Sequence, residues 1–501
     1  MLHQLKNILG TGWIVLAAWV VTWVLGYVGL GGYAADAIEG IDRSMIPILP
    51  SVLFFLATLI SIASTILWAG SMGKRDGADS TVAVSARRRI LIGGVALTGG
   101  VIGGTAATIS RLYGWMTVTG PAMAAPVVTV DDNPQPSWDG SRITGYRELG
   151  STGFKVSDIS LGTGQVLRHS DPVGLLQAAM DRGVNYIDTS PDYAGTRSET
   201  AIGKAISGRQ REDLFIATKW CTSDGHVRQG STVQTYIDTV EASLKRLGTE
   251  QVDLVHVHAC DTVERLLDPN VHEAFDRLKE QGKVRFMGVS THTPNLENVA
   301  RAVIDSDRFD VMMLAYHHGA WPHQQALIDE AAARGIGVVA MKTLKGAKHR
   351  GMSEYQAEAN SYAQAAFKWV LSNPNVACLV VSFFDDRQVD EYLYASGAPI
   401  TSEDLAILEK YDRLIAGTHC FAHCGACLNS CPENVAINDV LRHRMYFEDY
   451  GDKKQAVELY ARLDKKADLC ASCPAPCSGA CPQGIPIRSR MMEAERQLAL
   501  A

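Results

Sequence analysis

Charge is scarce where this chain begins. Residues 1–112 carry 13 charged side chains, whereas the 389 that follow carry 88. None falls between Lys6 and Asp36, and none between Arg43 and Lys74. Each gap exceeds the roughly 20 residues a helix needs to cross a hydrocarbon core. A third uncharged run, Ile90 to Ser110, is Gly-rich and just long enough. A buried soluble helix of such length would carry polar punctuation, so three spans are expected, at about 12–33, 47–70 and 90–110. An excess of basic residues is also missing: 47 Lys and Arg face 54 Asp and Glu, a net charge of −7. That balance excludes nucleic acid as the main partner, because neutralising phosphates needs a basic face. Absent too is a Gly-x-Gly-x-x-Gly after the early strands, which weighs against an open dinucleotide-binding sheet.

What is present gives the anchor a direction. The loop at 34–46 holds Asp36, Glu39, Asp42 and Arg43, whereas 72–89 holds Lys74, Arg75 and Arg87–Arg89 against Asp76 and Asp79. The positive-inside rule puts the second loop and the N-terminus in the cytoplasm, and everything after the third span outside. Trp13, Tyr33 and Trp68 lie near the span ends, where aromatic rings favour the interface. Ala86-Arg87-Arg88-Arg89-Ile90-Leu91 resembles a twin-arginine export signal, with Ala where Ser or Thr is usual. An ordinary stop-transfer helix with basic flanks is the alternative. Residues 113–145, with Pro121, Pro126, Pro134 and Pro136, read as an extended linker.

From about 146 short apolar runs alternate with helical periodicity. Strands are expected at 159–164, 185–189, 214–219, 253–258, 285–290, 310–316, 337–342 and 377–383. Eight β-then-α units point to a closed parallel (β/α)8 barrel of the TIM type over 146–400. In such barrels chemistry gathers at the C-terminal ends of the strands. Those ends supply Asp188, Lys219 and His258, with Tyr193 in the loop after Asp188. An acid, an amine, an imidazole and a phenol suit reduction of a carbonyl. An ammonium beside a phenol favours its ionised form, a carboxylate holds that ammonium, and an imidazole can orient the carbonyl oxygen.

The run Gly183-Val-Asn-Tyr-Ile-Asp188-Thr-Ser-Pro-Asp-Tyr193-Ala-Gly-Thr-Arg-Ser198-Glu199 resembles the signature segment of the aldo-keto reductases. Ile216-Ala-Thr-Lys219 and Asp253-Leu-Val-His-Val-His258 resemble the next two landmarks of that family, in order. The resemblance implies Tyr193 as general acid, Lys219 and Asp188 tuning it, and His258 placing the substrate. It also implies a nicotinamide dinucleotide, NAD(P)H, held by groups after the later strands. Here the match thins. Ser290 agrees with the family, but Thr291 replaces an Asn, Met313 a Gln, and Met341 an aromatic residue. Asp385-Asp386-Arg387 would repel a 2′-phosphate more than attract it. Ser290 and Lys342 remain the candidate cofactor contacts. The stretch Ala315–Trp321, with His317 and His318, is a candidate substrate wall.

Eight of the eleven cysteines follow residue 419. They form Cys420-x3-Cys424-x2-Cys427-x3-Cys431-Pro432 and Cys470-x2-Cys473-x3-Cys477-x3-Cys481-Pro482. Ferredoxin-like runs use Cys-x2-Cys-x2-Cys-x3-Cys-Pro, with the fourth thiolate serving the other cluster. Each group enlarges one spacing by a residue, yet both end in x3-Cys-Pro and lead into a hydrophobic turn. Two [4Fe–4S] clusters are expected in a small helical domain at 401–501. Crossed ligation would place Cys420, Cys424, Cys427 and Cys481 on one, and Cys470, Cys473, Cys477 and Cys431 on the other. Structural zinc and disulfides are the rivals. Cys221, Cys260 and Cys378 read as packing residues and His423 as a bystander.

Together these readings describe a membrane-anchored oxidoreductase of a carbonyl or alcohol substrate, placed outside the cytoplasm. Its clusters would exchange electrons with a quinone or another electron-transfer protein. Two alternatives stay open: a cytoplasm-facing NAD(P)H-dependent reductase with structural clusters, and a catalytically silent sensing or binding barrel.

Overall fold

The computed structural model describes residues 134–320, 322–345, 360–448 and 453–499. The three expected spans, their loops and the twin-arginine segment lie outside the described residues. Among the described residues no helix is long and apolar enough to cross a membrane.

Eight parallel strands close on themselves. They are β3 (Ile159–Gly162), β4 (Tyr186–Asp188), β5 (Phe215–Lys219), β8 (Val252–Val257), β9 (Val284–Thr291), β10 (Val311–Ala315), β11 (Gly337–Met341) and β12 (Cys378–Ser382), and they pair in that order. The last returns to the first with Leu379 opposite Ile159. Side chains alternate across the wall, as the two-residue period of a strand requires. Tyr186, Phe215, Leu254, Val311 and Val339 fill the barrel interior. Ile187, Ile216 and Val255 face the surrounding helices. Inside, Tyr186 stacks on Phe215 with centroids 5.4 Å apart, and Phe215 on Phe286 at 6.1 Å.

The helices begin where side chains can take up free backbone N–H groups. Asp171 accepts from Gly174 N ahead of α1 (Pro172–Asp181), and Thr232 from Thr235 N ahead of α3 (Val233–Leu247). Between them α2 (Arg197–Ile206) follows the signature loop. Later come α4 (Val263–Leu266), α5 (Pro269–Glu280), α6 (Leu296–Ser306), α7 (Pro322–Ala333), α8 (Tyr362–Leu371) and α9 (Asp386–Leu393). The expected strands differ from these by one or two residues at their ends.

Two hairpins escaped the sequence pattern because their strands are two or three residues long. The first, β1 (Tyr146–Glu148) with β2 (Lys155–Ser157), plugs the N-terminal end of the barrel through Leu149 and Val156, both buried. The second, β6 (Cys221–Thr222) with β7 (Gly225–His226), rises from the opposite end directly after β5. The stretch read as a linker is packed from residue 134 onward: Trp138 and Ile143 are buried, and Thr144 bonds Ser396.

Helix α10 (Ser402–Ile415) packs on α8, burying Ile407, Leu408 and Tyr411 against Tyr362 and Ala366. It thus shares a core with the barrel. After it, α11 (Ile437–Glu448), α12 (Lys453–Ala461) and α13 (Ile487–Leu498) surround a separate core. The two hydrophobic turns after the Cys-Pro pairs feed that core symmetrically, as Val435 with Ile437 and Ile485 with Ile487.

Candidate active site

All six candidate catalytic and cofactor residues of the barrel reach one cavity. Asp188, Tyr193, Lys219, His258, Ser290 and Lys342 line a space of about 300 Å³ at the C-terminal ends of the strands. Non-glycine residues around this mouth that take positive φ include Ala194 (51°), Thr196 (74°), Ala259 (43°), Lys342 (58°) and Lys345 (57°). Strained backbone of this kind persists where the surrounding structure over-determines it.

Lys219 ends β5 and is almost wholly buried. Its ammonium donates to both oxygens of Asp188 and to the Thr189 carbonyl, each at 2.7 Å. An ammonium has three donors, so all are spent. Lys219 therefore meets Tyr193 through the ring face, its nitrogen 4.8 Å from the centroid. This changes the expected tuning. Burial, then Asp188 and Asp192, push the Tyr193 phenol well above its ordinary value. A carboxylate 2.7 Å from the ammonium cancels most of the field that would have favoured phenolate. The phenol is thus kept protonated, which suits a proton donor. Burial likewise raises the Asp188 carboxyl, with Lys219 pulling against it.

The rest of the signature segment builds rather than reacts. Ser198 donates to Thr163, and Glu199 accepts from Thr218 and from Arg246 at the end of α3. These bonds fasten the loop that presents Tyr193.

His258 follows β8. Burial, with His226, Lys219 and other cations nearby, holds its imidazole neutral, well below the ordinary histidine value. Its Nδ1 lies 3.0 Å from Cys221 Sγ and 3.5 Å from Asp192 Oδ2. Cys221, read from sequence as packing, is therefore part of the site. Cys260 and Cys378 are packing residues as expected. His317 and His318 do not line the cavity. His317 faces Phe421 and His423, and His318 pairs with Asp412 at 2.9 Å.

Sequence reasoning missed a second phenol. Tyr446, on α11 of the cysteine-bearing tail, lines the same cavity and accepts a bond from Lys342 Nζ at 3.2 Å. Burial opposes its ionisation, but Lys342 and Arg442 together outweigh burial and hold it below the ordinary tyrosine value. Arg442, one turn earlier, contacts His292 Nδ1 at 2.6 Å, and His292 also lines the cavity. No periodicity in the sequence ties residue 446 to residue 342; only the tail's docking does. In an alkaline titration phenolate absorbance should begin at lower pH in the parent than in Tyr446→Phe. The folded value is the depressed one. The pair's stabilisation is therefore present above the unfolded value and lost as pH falls through the lowered one.

A dinucleotide finds little welcome here. Lys342 is paired with Tyr446, Ser290 Oγ accepts from Ala259 N, and Met313 and Met341 present thioethers where an amide and a ring would serve. Arg387 is gripped by both oxygens of Asp385. A 300 Å³ cavity is at the small end for an organic ligand. The residues present do not fit NAD(P)H with the tail docked.

The tail thiols sort differently from their sequence order. All eleven cysteines are free thiols. Cys420 feels the charges of Cys424, Cys427 and Cys481, whereas Cys470 feels those of Cys431, Cys473 and Cys477. Each fourth cysteine thus neighbours the other run. Among the described residues these eight thiols form no compact single-ion group of three or more ligand atoms. Backbone N–H groups of Val435 and Ala475 point at Cys431 and Cys473, 3.4 Å away. Two sets of four thiols bordering an apolar core are a donor set that cubane clusters can use.

Barrel and mouth define an oxidoreductase of the aldo-keto reductase type. Residues 158–361 match the Aldo/keto reductase family. The chain is 27% identical over 285 residues to L-galactose dehydrogenase of Arabidopsis thaliana, a match spanning 50% of this chain and 87% of that protein. It is 28% identical over 303 residues to YqkF, an uncharacterized oxidoreductase of Bacillus subtilis, spanning 53% and 96%. A solved aldo-keto reductase of Bacillus halodurans aligns over 54% of this chain and 96% of its own, at 22% identity and a TM-score of 0.45.

Proposed function

We propose that this protein is a membrane-anchored oxidoreductase of a small carbonyl or alcohol substrate, with electrons passing through two [4Fe–4S] clusters. Cys420, Cys424, Cys427 and Cys481 would hold one cluster, and Cys431, Cys470, Cys473 and Cys477 the other. When bound, each would supply one-electron chemistry, so the pair matches the two electrons separating a carbonyl from an alcohol. The chain's own residues do the rest. Reduction adds two protons as well as two electrons. Tyr193 donates the one that goes to the substrate oxygen, which His258 orients, and the one that forms the C–H bond comes from solvent. The Asp188–Lys219 pair fixes the loop and the charge balance. Tyr446 with Lys342 closes the opposite wall.

The observation that carries this reading is the crossed grouping of the eight thiols, with α11 running from beside that core to the cavity. Arg442 of that helix acts on Cys420 and touches His292. The uncharged runs before residue 112 support the anchor, and the loop charges support an extracytoplasmic barrel fed by a quinone or a protein partner. Anaerobic purification in detergent should return about eight irons per chain, with matching labile sulfide. Zinc in place of iron would overturn the electron-transfer half. A C-terminal reporter active only in the cytoplasm would overturn the placement.

A further inference from the structure

Beside the reacting groups lies a set of donors of which the proposed chemistry uses only His258. Cys221 and His226 are cross-strand partners in the β6–β7 hairpin, made possible by Gly225 at φ 129°. Asp192 precedes Tyr193, and His258 follows β8. One ligand atom from each of these four lies within 4.8 Å of every other. The Cys221–His258 contact alone could be a thiol–imidazole hydrogen bond. That bond leaves the remainder unexplained, because Asp192 Oδ1 is buried with no hydrogen-bond partner. It also does not account for His226, whose ring stands 4.5 Å from that of His258.

We infer that Asp192, Cys221, His226 and His258 form a mononuclear site for a divalent transition-metal ion of the zinc type. Metal–ligand lengths of about 2.0–2.3 Å put tetrahedral ligands roughly 3.2–3.7 Å apart. The 3.0 and 3.5 Å separations around His258 Nδ1 need only tenths of an ångström of adjustment. One thiolate, two imidazoles and one carboxylate suit a borderline-soft ion better than magnesium or calcium, which prefer oxygen alone. All four ligands come from loops after three consecutive barrel strands or from the hairpin that follows the middle one, so the scaffold pre-orders them. Binding at Nδ1 fixes the His258 tautomer, leaving Nε2–H as the edge available to a substrate oxygen. The ion would thus act through His258 as a positioning element. It rests on neither the iron–sulfur assignment nor the role of Tyr193.

The test uses the full chain purified anaerobically in detergent, titrated with Co2+ and then Zn2+, with tail cysteines intact throughout. The parent should take up one more Co2+ than Cys221→Ser, with tetrahedral d–d bands and a thiolate charge-transfer band. That band should vanish in Cys221→Ser. In His226→Ala, which alters an exposed position, affinity should fall by at least about 100-fold. Tyr193→Phe should bind Co2+ like the parent, so loss of turnover there leaves this site intact. Equal Co2+ stoichiometry and spectra in parent, Cys221→Ser and His226→Ala would overturn the proposal.

Discussion

Replacing Tyr193 by Phe should lower turnover of a carbonyl substrate by about 10²–10⁴-fold while leaving the circular dichroism spectrum and KM nearly unchanged. The size follows from what a positioned acid contributes when it protonates an oxygen in the transition state. Burial and the two neighbouring carboxyls push this phenol above its ordinary value, which favours the protonated form a donor needs. The methylene and ring remain in Phe, and the ring face still covers Lys219. Binding contacts are therefore retained and only the donated proton is lost. A variant keeping full kcat would move the acid elsewhere, with Tyr446 the nearest candidate, and the double variant would then be the inactive one.

Asp188→Ala should be the most destabilising single change at the site. It leaves the Lys219 ammonium, 1% exposed, with the Thr189 carbonyl as its sole hydrogen-bond partner. Stranding a buried charge costs about 3–5 kcal/mol, which chemical denaturation can read directly. Converting both members, as Asp188→Leu with Lys219→Met, should recover most of that loss, because an apolar pair of similar volume removes the uncompensated charge. Activity should stay absent in the double variant. That split would separate the pair's electrostatic cost from its service to Tyr193. Equal stability of the single and double variants would mean the pair contributes little beyond packing.

The barrel was legible because its signals are local and repeated. Runs such as Ile216-Ala-Thr-Lys219 and Leu254-Val-His-Val257 carry enough β-branched residues to declare strands, and a strand's end then places its polar residue. Asp188, Lys219 and His258 followed by position alone, and Tyr193 from the loop beside them. The hairpins were not legible, since two- and three-residue strands show no period. Cys221 was taken for packing for the same reason: its partner His226 becomes a neighbour only when Gly225 turns the chain. Tyr446 and Arg442 depend on docking between elements about a hundred residues apart, and no pattern in α11 announces which face meets the barrel. The expected phenol–ammonium tuning failed on a count of donors, which composition cannot supply.

The crossed thiols have a consequence for biogenesis. Each run of four sends its last cysteine to the other's neighbourhood, so under the proposed ligation neither cluster could be completed while only half the tail has been synthesised. Loading and folding of this segment would then be a single late event, with the two halves stapled reciprocally. Because α11 and its Tyr446 belong to that stapled unit, the catalytic mouth would acquire its last wall only in chains whose metal assembly has succeeded.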